Sequence, residues 1–510
     1  MPILNWLGKD KVINHHQQVP FRVLEPQYTY GQDDSGNMIV HGDNLDALKA
    51  LLPRYEGKVK LIYIDPPYNT GNENWVYNDN VNDPKIKRWL GEVVGKEGED
   101  LSRHDKWLCM MYPRLRLLQR LLADDGVIFV SIGDDELTNL SCIMREIFGK
   151  LSATLVWKSR SKPTNAGMAK YRPQKVAEYI LMYTQDDKRV FNIQKSEDTY
   201  SYSHEDEFGK YRTSTILTSN FGTYQRETMR FEVAGYTPPA DKRWKAGLDT
   251  IQELCDTNRL MFNSDGEPME KVYEEDNDGI NSPFYTLINS DLSGTAENGK
   301  AALNAIIGSG HGFDTVKPIR LIEYIISLST DSDSIILDSF AGSGTTAHAV
   351  LNMNKRDGGN RRFILVEMED YAESITAERV KRVIEGYAKT EGTGGGFSFY
   401  ELGERLLLED GNLNENLDTE KIREYIWYTE TRAKYVPQAE AHLLGVNANT
   451  AYYFYYEKQA VTVLDHSFLH GIKSRAGSYL IYADLNTLSA EEMDAVNIRF
   501  KKIPRDITRL

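Results

Sequence analysis

VKLIYIDPPY, residues 59–68, decides the fold together with a second stretch, IILDSFAGSG, at residues 335–344. In each stretch a short apolar run leads into a proline-rich or glycine-rich segment, which predicts a buried strand that ends in a loop. In parallel α/β sheets, the loops at the carboxyl ends of the strands build the binding sites. The two stretches therefore predict an α/β sheet whose site is shared by two loops that are far apart in the chain.

The first loop has side chains suited to an amino group. The carboxylate of Asp65 can accept one N–H of an amine, and the carbonyl of Pro66 can accept the other. Pro66 and Pro67 restrict φ and remove backbone donors, so the loop should be rigid. Tyr68 offers an aromatic face on which a base that has left its helix could stack. The alternative interpretation is a proline-rich turn after a buried strand.

The second loop is predicted to hold a ligand. Gly342 and Gly344 allow positive φ and a close approach of the backbone to that ligand. The chain is predicted to be helical from Thr345, so the free N–H groups at the helix start would face a carboxylate. Phe340 could pack on a flat ring, and Glu367 ends the next predicted strand, where an acidic residue commonly binds ribose hydroxyls. The alternative is an ordinary strand–loop–helix turn.

Composition indicates a folded protein of two or three domains, because 510 residues are too many for one core. The hydrophobic content of 41% is typical of globular chains. The formal net charge of −15 argues against a nonspecific coat for nucleic acid. Cys109, Cys142 and Cys255 are far apart and show no metal-binding spacing, so they are interpreted as reduced thiols of a cytoplasmic protein. We expect no signal peptide, because residues 1–11 contain no apolar core and no cleavage site, and we expect no membrane span, because no apolar run reaches about 18 residues.

A basic stretch in a predicted loop is the candidate DNA contact. Its six cations are Lys158, Arg160, Lys162, Lys170, Arg172 and Lys175, with no acidic residue between them. Such a local stripe can contact phosphates even on an acidic protein. The alternative is a solvated surface loop.

Changes in periodicity and composition predict four segments. They are residues 1–190, the half of an α/β domain that contains the Asp-Pro-Pro-Tyr loop; 191–305, an insertion of short strands and turns; 306–390, the half that contains the glycine loop; and 397–510, a small α+β module after a glycine-rich linker. The last module is predicted to form a dimer or partner interface, because aromatic residues are enriched at such surfaces.

The order of the two loops resembles that of the β-class amino methyltransferases that act on DNA. In that family Asp-Pro-Pro-Tyr precedes Phe-x-Gly-x-Gly, and residues 39–44, 127–134 and 313–318 match further elements of the same family. The resemblance implies a Rossmann-like fold with permuted motif order. In such a fold residues 1–190 would be the catalytic half, 306–390 the cofactor half, and the insertion 191–305 a target-recognition region. The resemblance also implies S-adenosylmethionine as the methyl donor, no metal, and a target base that is flipped out of the duplex.

The same resemblance implies further residues at the cofactor. They are Asp43, Asp338 and Lys317, in addition to the glycine loop.

More narrowly, the chain resembles the modification subunit of type III restriction-modification systems. This match rests on residues 205–209, on Pro238-Pro239 with Trp244, and on the composition of the C-terminal tail. It implies adenine N6 as the target, because aspartate at position 65 goes with adenine in this family and serine with cytosine N4. It also implies a homodimer, a helicase-nuclease partner, and a cytoplasmic prokaryotic enzyme that works at the nucleoid.

Other functions stay open at this point. One alternative is a methyltransferase with the same chemistry and another substrate: cytosine N4, an RNA base or a protein glutamine amide. A further alternative is an orphan DNA methyltransferase that works without a nuclease. Another is a DNA-binding specificity subunit whose catalysis is incidental.

Overall fold

The computed structural model describes residues 3–70, 88, 91–92, 102–162, 171, 173–186, 189–192, 194–195, 201–222, 225–276, 281–282 and 284–505. The chain divides into two units, one formed by Met1–Asn192 with Tyr285–Leu510 and the other by Ile193–Phe284. Among the described residues, no helix has the length and apolar character that crossing a membrane requires. The described part also contains no cluster of three or more His, Cys, Asp or Glu side chains placed to hold a metal ion.

The first part of the larger unit alternates strands with helices. Its strands are β1 (Arg22–Gly31), β2 (Met38–His41), β3 (Val59–Ile64), β4 (Leu122–Ile132), β5 (Ala153–Trp157) and β6 (Glu178–Thr184). Its helices are α1 (Lys9–Val12), α2 (His15–Gln18), α3 (Asn44–Tyr55), α4 (Arg103–Leu121) and α5 (Leu137–Phe148). Side-chain caps fix two of the helix starts: Asp43 caps α3, and Ser102 with Asp105 forms a capping box on α4.

The smaller unit consists mainly of short strands. They are β7 (Gln194–Lys195), β8 (His204–Asp206), β9 (Gly209–Thr215), β10 (Leu217–Ser219), β11 (Lys242–Trp244), β12 (Leu260–Phe262), β13 (Pro268–Tyr273) and β14 (Asn281–Ser282), with a 3₁₀ turn at Glu227–Met229 and helix α6 (Leu248–Asp256). Trp244 is buried in its core beside Val233 and Ile251, and its indole N–H donates to the Phe231 carbonyl at 2.8 Å.

The rest of the chain completes the larger unit. Its strands are β15 (Leu287–Ile288), β16 (Ile335–Asp338), β17 (Arg362–Glu367), β18 (Gly386–Tyr387), β19 (Thr390–Glu391), β20 (Gly396–Arg405), β21 (Leu443–Asn447), β22 (Thr450–Phe454), β23 (Val463–Leu464), β24 (Ser478–Ala483), β25 (Leu485–Asn486) and β26 (Ile498–Lys502). Its helices are α7 (Ser290–Ser293), α8 (Ala296–Ile307), α9 (Ile319–Ser329), α10 (Thr345–Asp357), a π-helical segment (Ala372–Ala377), α11 (Glu378–Glu385), α12 (Thr419–Thr431), α13 (His466–Gly471) and α14 (Ala490–Ala495).

A ten-stranded sheet organises the larger unit, in the order β1-β20-β2-β17-β16-β3-β4-β6-β5-β15. The strands from β20 to β4 in that order are parallel, whereas β1 and β6 run against their neighbours. Almost every residue of β3, β16 and β17 is buried, as expected for parallel strands covered on both faces. The predicted Rossmann-like α/β class is confirmed.

Two strands join this sheet from outside the predicted methyltransferase halves. β15 lies within the predicted insertion 191–305, yet it pairs with β5, and residues 285–305 belong to the larger unit. Apart from its first residue, Gly396, β20 lies within the predicted C-terminal module, yet it pairs with β1 and β2. Both strands belong to the central sheet because their backbones pair with strands that are distant in the chain. No local sequence pattern predicts such pairing.

The residues after β20 contribute a second sheet, in the order β21-β22-β24-β26. Tyr453 and Phe454 in β22 are buried, which agrees with a core strand. Helix α12 packs its Trp427 ring 5.5 Å from Tyr452 and so closely on Gly445 that a Cβ there would lie 2.8 Å from the indole.

Candidate active site

The two predicted loops meet because β16 and β3 are neighbouring parallel strands. Ile336 pairs with Leu61 and Leu337 with Ile62, so both strands end at the same edge of the sheet. The pairing of β16 with β3 also joins the second half of the chain to the first. In the sheet, β17 lies on the far side of β16 and β4 on the far side of β3, so the strand order changes direction between β16 and β3. Such points open a crevice beyond the carboxyl ends of the strands.

Asp65 follows β3 and is paired with Lys317. The Lys317 Nζ lies 2.9 Å from Asp65 Oδ2 and 3.3 Å from Glu178 Oε2, and it donates to the Tyr68 hydroxyl at 3.1 Å. The side chains of Asp65 and Lys317 are only 18% and 12% exposed. One ammonium therefore bridges two carboxylates in a nearly enclosed cluster.

Burial and charge set the ionisation of this cluster. Burial raises the pKa of Asp65, although the Lys317 ammonium acts in the opposite direction. Burial alone would raise the pKa of Glu178 as well, but Lys317 and the Tyr68 hydroxyl bring it below its ordinary value. Of the two carboxylates, Asp65 is therefore the better proton acceptor.

Buried contacts hold the Asp-Pro-Pro-Tyr loop in place. The indole N–H of Trp107, which is wholly buried, donates to the Pro67 carbonyl at 2.7 Å. The Tyr68 ring packs on Gly133, where an added Cβ would lie 3.1 Å from the ring. Asn69 follows in the left-handed conformation, with φ of 54°, which asparagine adopts more readily than most residues. Sequence reasoning missed Trp107, and it matched Gly133 to a family element without linking it to this loop, because both contacts are tertiary.

The glycine loop has the backbone conformation that its residues allow. Gly342 and Gly344 have φ of 53° and 79°, and α10 begins directly after them at Thr345. A Cβ on Gly344 would lie 3.2 Å from the Thr376 carbonyl, and the Thr376 hydroxyl donates to the Gly342 carbonyl at 2.5 Å. Thr376 belongs to the π-helical segment, a local feature that is frequent at functional sites.

Arg379 supports the same loop from the protein side. Its guanidinium is wholly buried and donates to Ser343 Oγ at 2.8 Å and to Thr345 Oγ1 at 2.9 Å. Within the described ranges it makes no ion pair with a carboxylate, and burial lowers its pKa to about 10. Sequence reasoning did not identify this residue either.

Two buried acidic residues flank the glycine loop. Asp338 accepts from the Thr346 hydroxyl at 2.5 Å and from the Phe340 N–H at 3.1 Å. Glu367 accepts from the Gly342 N–H at 2.7 Å. Burial raises the pKa of each carboxyl to about 7. Glu367 thus shapes the loop backbone directly, and its predicted contact with ribose hydroxyls stays a prediction.

Asp43 has protein partners at both oxygens. Oδ1 accepts from the N–H groups of Leu45 and Asp46, and Oδ2 lies 3.3 Å from the buried guanidinium of Arg114. These contacts account for Asp43 as a helix cap, and its cofactor role stays an implication of the resemblance.

A pocket opens between the two loops. Its lining includes Asp65, Lys317, Asp338, Phe340, Ser343 and Thr345. At the loop, Asn44 donates to the Ser339 carbonyl, while Asn44 Oδ1 and Ser339 Oγ are buried without a hydrogen-bond partner in the described part of the chain. The carboxylates of this pocket suit a cationic centre on a ligand, and the half-buried ring of Phe340 suits a flat ring. The N-terminus of α10 suits a carboxylate. S-adenosylmethionine has each of these groups, so the residues present fit it.

The basic stretch follows β5, whose carboxyl end lies at the same edge of the sheet as the two loops. Of its six cations the structure describes Lys158, Arg160, Lys162 and Lys175, whereas Lys170 and Arg172 lie outside the described residues. Lys158, Lys162 and Lys175 are exposed, and Lys175 is paired with Asp134 at 2.7 Å. Contact with DNA stays a prediction for this stretch.

The Asp-Pro-Pro-Tyr loop and the glycine loop at a helix N-terminus lie together at the switch point of an α/β sheet. This is the arrangement that the resemblance to amino methyltransferases predicts. The chain belongs to the N6_N4_Mtase family of DNA methylases, whose family model matches residues 59–378. The family resemblance indicated by the motifs is thereby confirmed.

Similar proteins include modification subunits and a type II enzyme. The type III restriction-modification enzyme StyLTI Mod subunit of Salmonella typhimurium is 32% identical over 393 residues, covering 72% of this chain and 58% of the relative. The EcoP15I Mod subunit of Escherichia coli is 29% identical over 439 residues, covering 72% and 64%. The type II methyltransferase M.KpnI of Klebsiella pneumoniae is 31% identical over 363 residues, covering 66% and 81%. The chain thus spans about three fifths of the length of the two Mod subunits.

Proposed function

We propose that this chain is a site-specific DNA methyltransferase that acts on the exocyclic N6 amine of adenine and uses S-adenosylmethionine. The observation that carries the proposal is the position of Asp65, which directly follows β3 and lines the same pocket as the glycine loop. Membership of the DNA methylase family supports it.

The chain's own residues would orient the amine. S-adenosylmethionine supplies, when bound, a methyl group on a sulfonium, which an amine lone pair can take while sulfur keeps the electrons of the broken C–S bond. The carboxylate of Asp65 would accept one N–H and the Pro66 carbonyl the other, so that the lone pair points away from both. Asp65 would then take the proton that the nitrogen loses, and burial favours this by raising its pKa. Positioning and exclusion of water provide the catalysis.

Adenine must leave the duplex to reach this site, because its amine is otherwise base-paired. Tyr68 would stack on the flipped base, and Gly133 behind its ring keeps that ring in place. Aspartate rather than serine at position 65 favours adenine over cytosine, as the family resemblance implies.

The proposed biological setting is a type III restriction-modification system in a prokaryotic cytoplasm. The similarity to two proteins named as Mod subunits supports this. In this setting the unit Ile193–Phe284 would read the target sequence, and the basic stretch after β5 would contact phosphates. The module after β20 would join two copies of the chain and bind a helicase-nuclease subunit.

A second candidate is a methyltransferase that works without a nuclease subunit. The similarity to M.KpnI favours this candidate, because M.KpnI is named as a type II methyltransferase and the alignment covers 81% of its length. Co-purification of a helicase-nuclease from the native host, together with the mass from light scattering, separates the two candidates.

The chemistry is tested by replacing Asp65. Asp65→Ala should abolish methyl transfer while leaving S-adenosylmethionine binding in calorimetry largely intact, because the glycine loop that holds the donor is untouched. Asp125→Ala, which removes a 63% exposed carboxylate on β4, is the control and should transfer normally. Single-molecule sequencing of DNA from a host that expresses the wild-type chain identifies the modified base and its motif. Near-normal transfer by Asp65→Ala, or methyl groups on cytosine N4, would contradict the proposal.

A further inference from the structure

Lys317 makes the contacts that the proposed function assigns to the target base. Its Nζ donates to Asp65 Oδ2 at 2.9 Å, as the amine would. The same ammonium lies 5.1 Å from the centroid of the Tyr68 ring, on which the base would stack. A base that arrives at Asp65 therefore competes with Lys317 for both partners.

Glu178 offers the ammonium another carboxylate nearby. Its Oε2 lies 3.3 Å from Lys317 Nζ and accepts a hydrogen bond from the Tyr68 hydroxyl at 2.9 Å. Glu178 is the first residue of β6 and pairs with Trp157 of β5, so the sheet holds its backbone. The Trp157 ring lies 5.6 Å from the same ammonium. Because lysine has a flexible four-carbon stem, a small movement would bring Nζ from Asp65 to Glu178.

The charges of the cluster favour such an exchange. With Asp65 and Glu178 ionised, one ammonium faces two carboxylates, so the cluster has one negative charge in excess. A buried cation that loses its sole partner is costly, but Lys317 would keep Glu178 when it leaves Asp65. The carboxylate of Asp65 would then be met by the amine N–H. The lowered pKa of Glu178 is consistent with a residue that stays ionised throughout.

We propose that Glu178 is a positioning residue that receives the Lys317 ammonium when the target base takes its place at Asp65. The inference rests on the proposed function, because it needs Asp65 to be the amine acceptor. It assigns to Lys317 the task of keeping Asp65 paired while no base is present. Without Glu178, the ammonium would stay on Asp65 and oppose the base.

Two substitutions separate charge from shape at Glu178. Glu178→Gln keeps the length and can still accept the Tyr68 hydroxyl, but it removes the charge. We expect the KM for unmodified plasmid DNA to rise and the transfer rate to fall by about 10- to 100-fold, the scale of a hydrogen bond to a charged group. S-adenosylmethionine binding should stay within about twofold of wild type, because the glycine loop is untouched. Glu178→Asp keeps the charge and should recover most of the rate.

A merely structural role predicts the reverse order, with glutamine better tolerated than aspartate. The double variant Glu178→Gln/Lys317→Met gives a second test, because Glu178→Gln should change transfer by less than about twofold once the lysine is absent. Wild-type transfer by Glu178→Gln, glutamine better than aspartate, or fully additive effects in the double variant would each overturn the inference. If the wild type transfers methyl groups to adenine and Asp65→Ala does not, the proposed function stands regardless of these outcomes.

Discussion

Replacing Trp107 by phenylalanine tests how the Asp-Pro-Pro-Tyr loop is held. The substitution keeps an aromatic ring but removes the N–H that donates to the Pro67 carbonyl at 2.7 Å. Trp107 is 0% exposed and Pro67 is buried, so water cannot take over this bond without rearrangement. A buried carbonyl without its donor costs about 1–3 kcal/mol, and the smaller ring adds a cavity cost.

The same change should slow the chemistry more than it affects binding of the methyl donor. Asp65 lies two residues from Pro67, and a displacement of a reacting group by about 1 Å can cost about a hundredfold in rate. We therefore expect Trp107→Phe to lower the single-turnover rate by about 10- to 100-fold at saturating DNA and S-adenosylmethionine. The donor's affinity in calorimetry should not change, because the glycine loop is on another strand.

Trp244→Phe is a matched control. Trp244 is also 0% exposed and donates to a carbonyl, that of Phe231 at 2.8 Å, but it lies in the unit Ile193–Phe284. It should lose stability in calorimetric unfolding to a similar extent and keep the wild-type rate at saturating DNA. A Trp107→Phe protein that is destabilised yet transfers methyl groups at the wild-type rate would refute the reasoning. Equal rate losses in both variants would assign the effect to general stability.

Further predictions concern the cofactor loop and the smaller unit. Gly344→Ala should weaken S-adenosylmethionine binding by about tenfold in calorimetry. The reason is that φ at this residue is 79° and the new Cβ would lie 3.2 Å from the Thr376 carbonyl. Unchanged affinity would show that the cofactor binds at another place. Burial raises the pKa of Asp338 to about 7, so its carboxyl is protonated below that pH and ionised above it. Affinity for the cationic donor should therefore rise from pH 6 to pH 8, and Asp338→Asn should reduce that rise; an equal pH dependence in both proteins would exclude Asp338 as its source. Exchange of residues 193–284 for those of a relative should change the methylated motif but not the modified base, as read by sequencing; a hybrid that keeps the original motif would place recognition outside this unit.

The local features of the site could be predicted from sequence. The apolar runs before Asp65 and before the glycine loop are strands β3 and β16, and the helix begins at Thr345 as expected. The family followed from the order of the two motifs, and the family model confirms it. These features are readable because strand periodicity, proline and glycine act through neighbouring residues alone.

Contacts between distant segments were decided by the tertiary structure. Nothing in the sequence around Glu178 separates it from any acidic residue at the start of a strand, yet the sheet brings it to Lys317. Trp107 reaches Pro67, and Arg379 reaches Ser343, because α4 and α11 pack beside loops that lie 40 and 36 residues away in the chain. Strand β20 likewise enters the central sheet by pairing with β1 and β2. The hydrophobic pattern of a segment predicts that the segment is buried. It does not predict the partner, because the partner depends on how the whole unit packs.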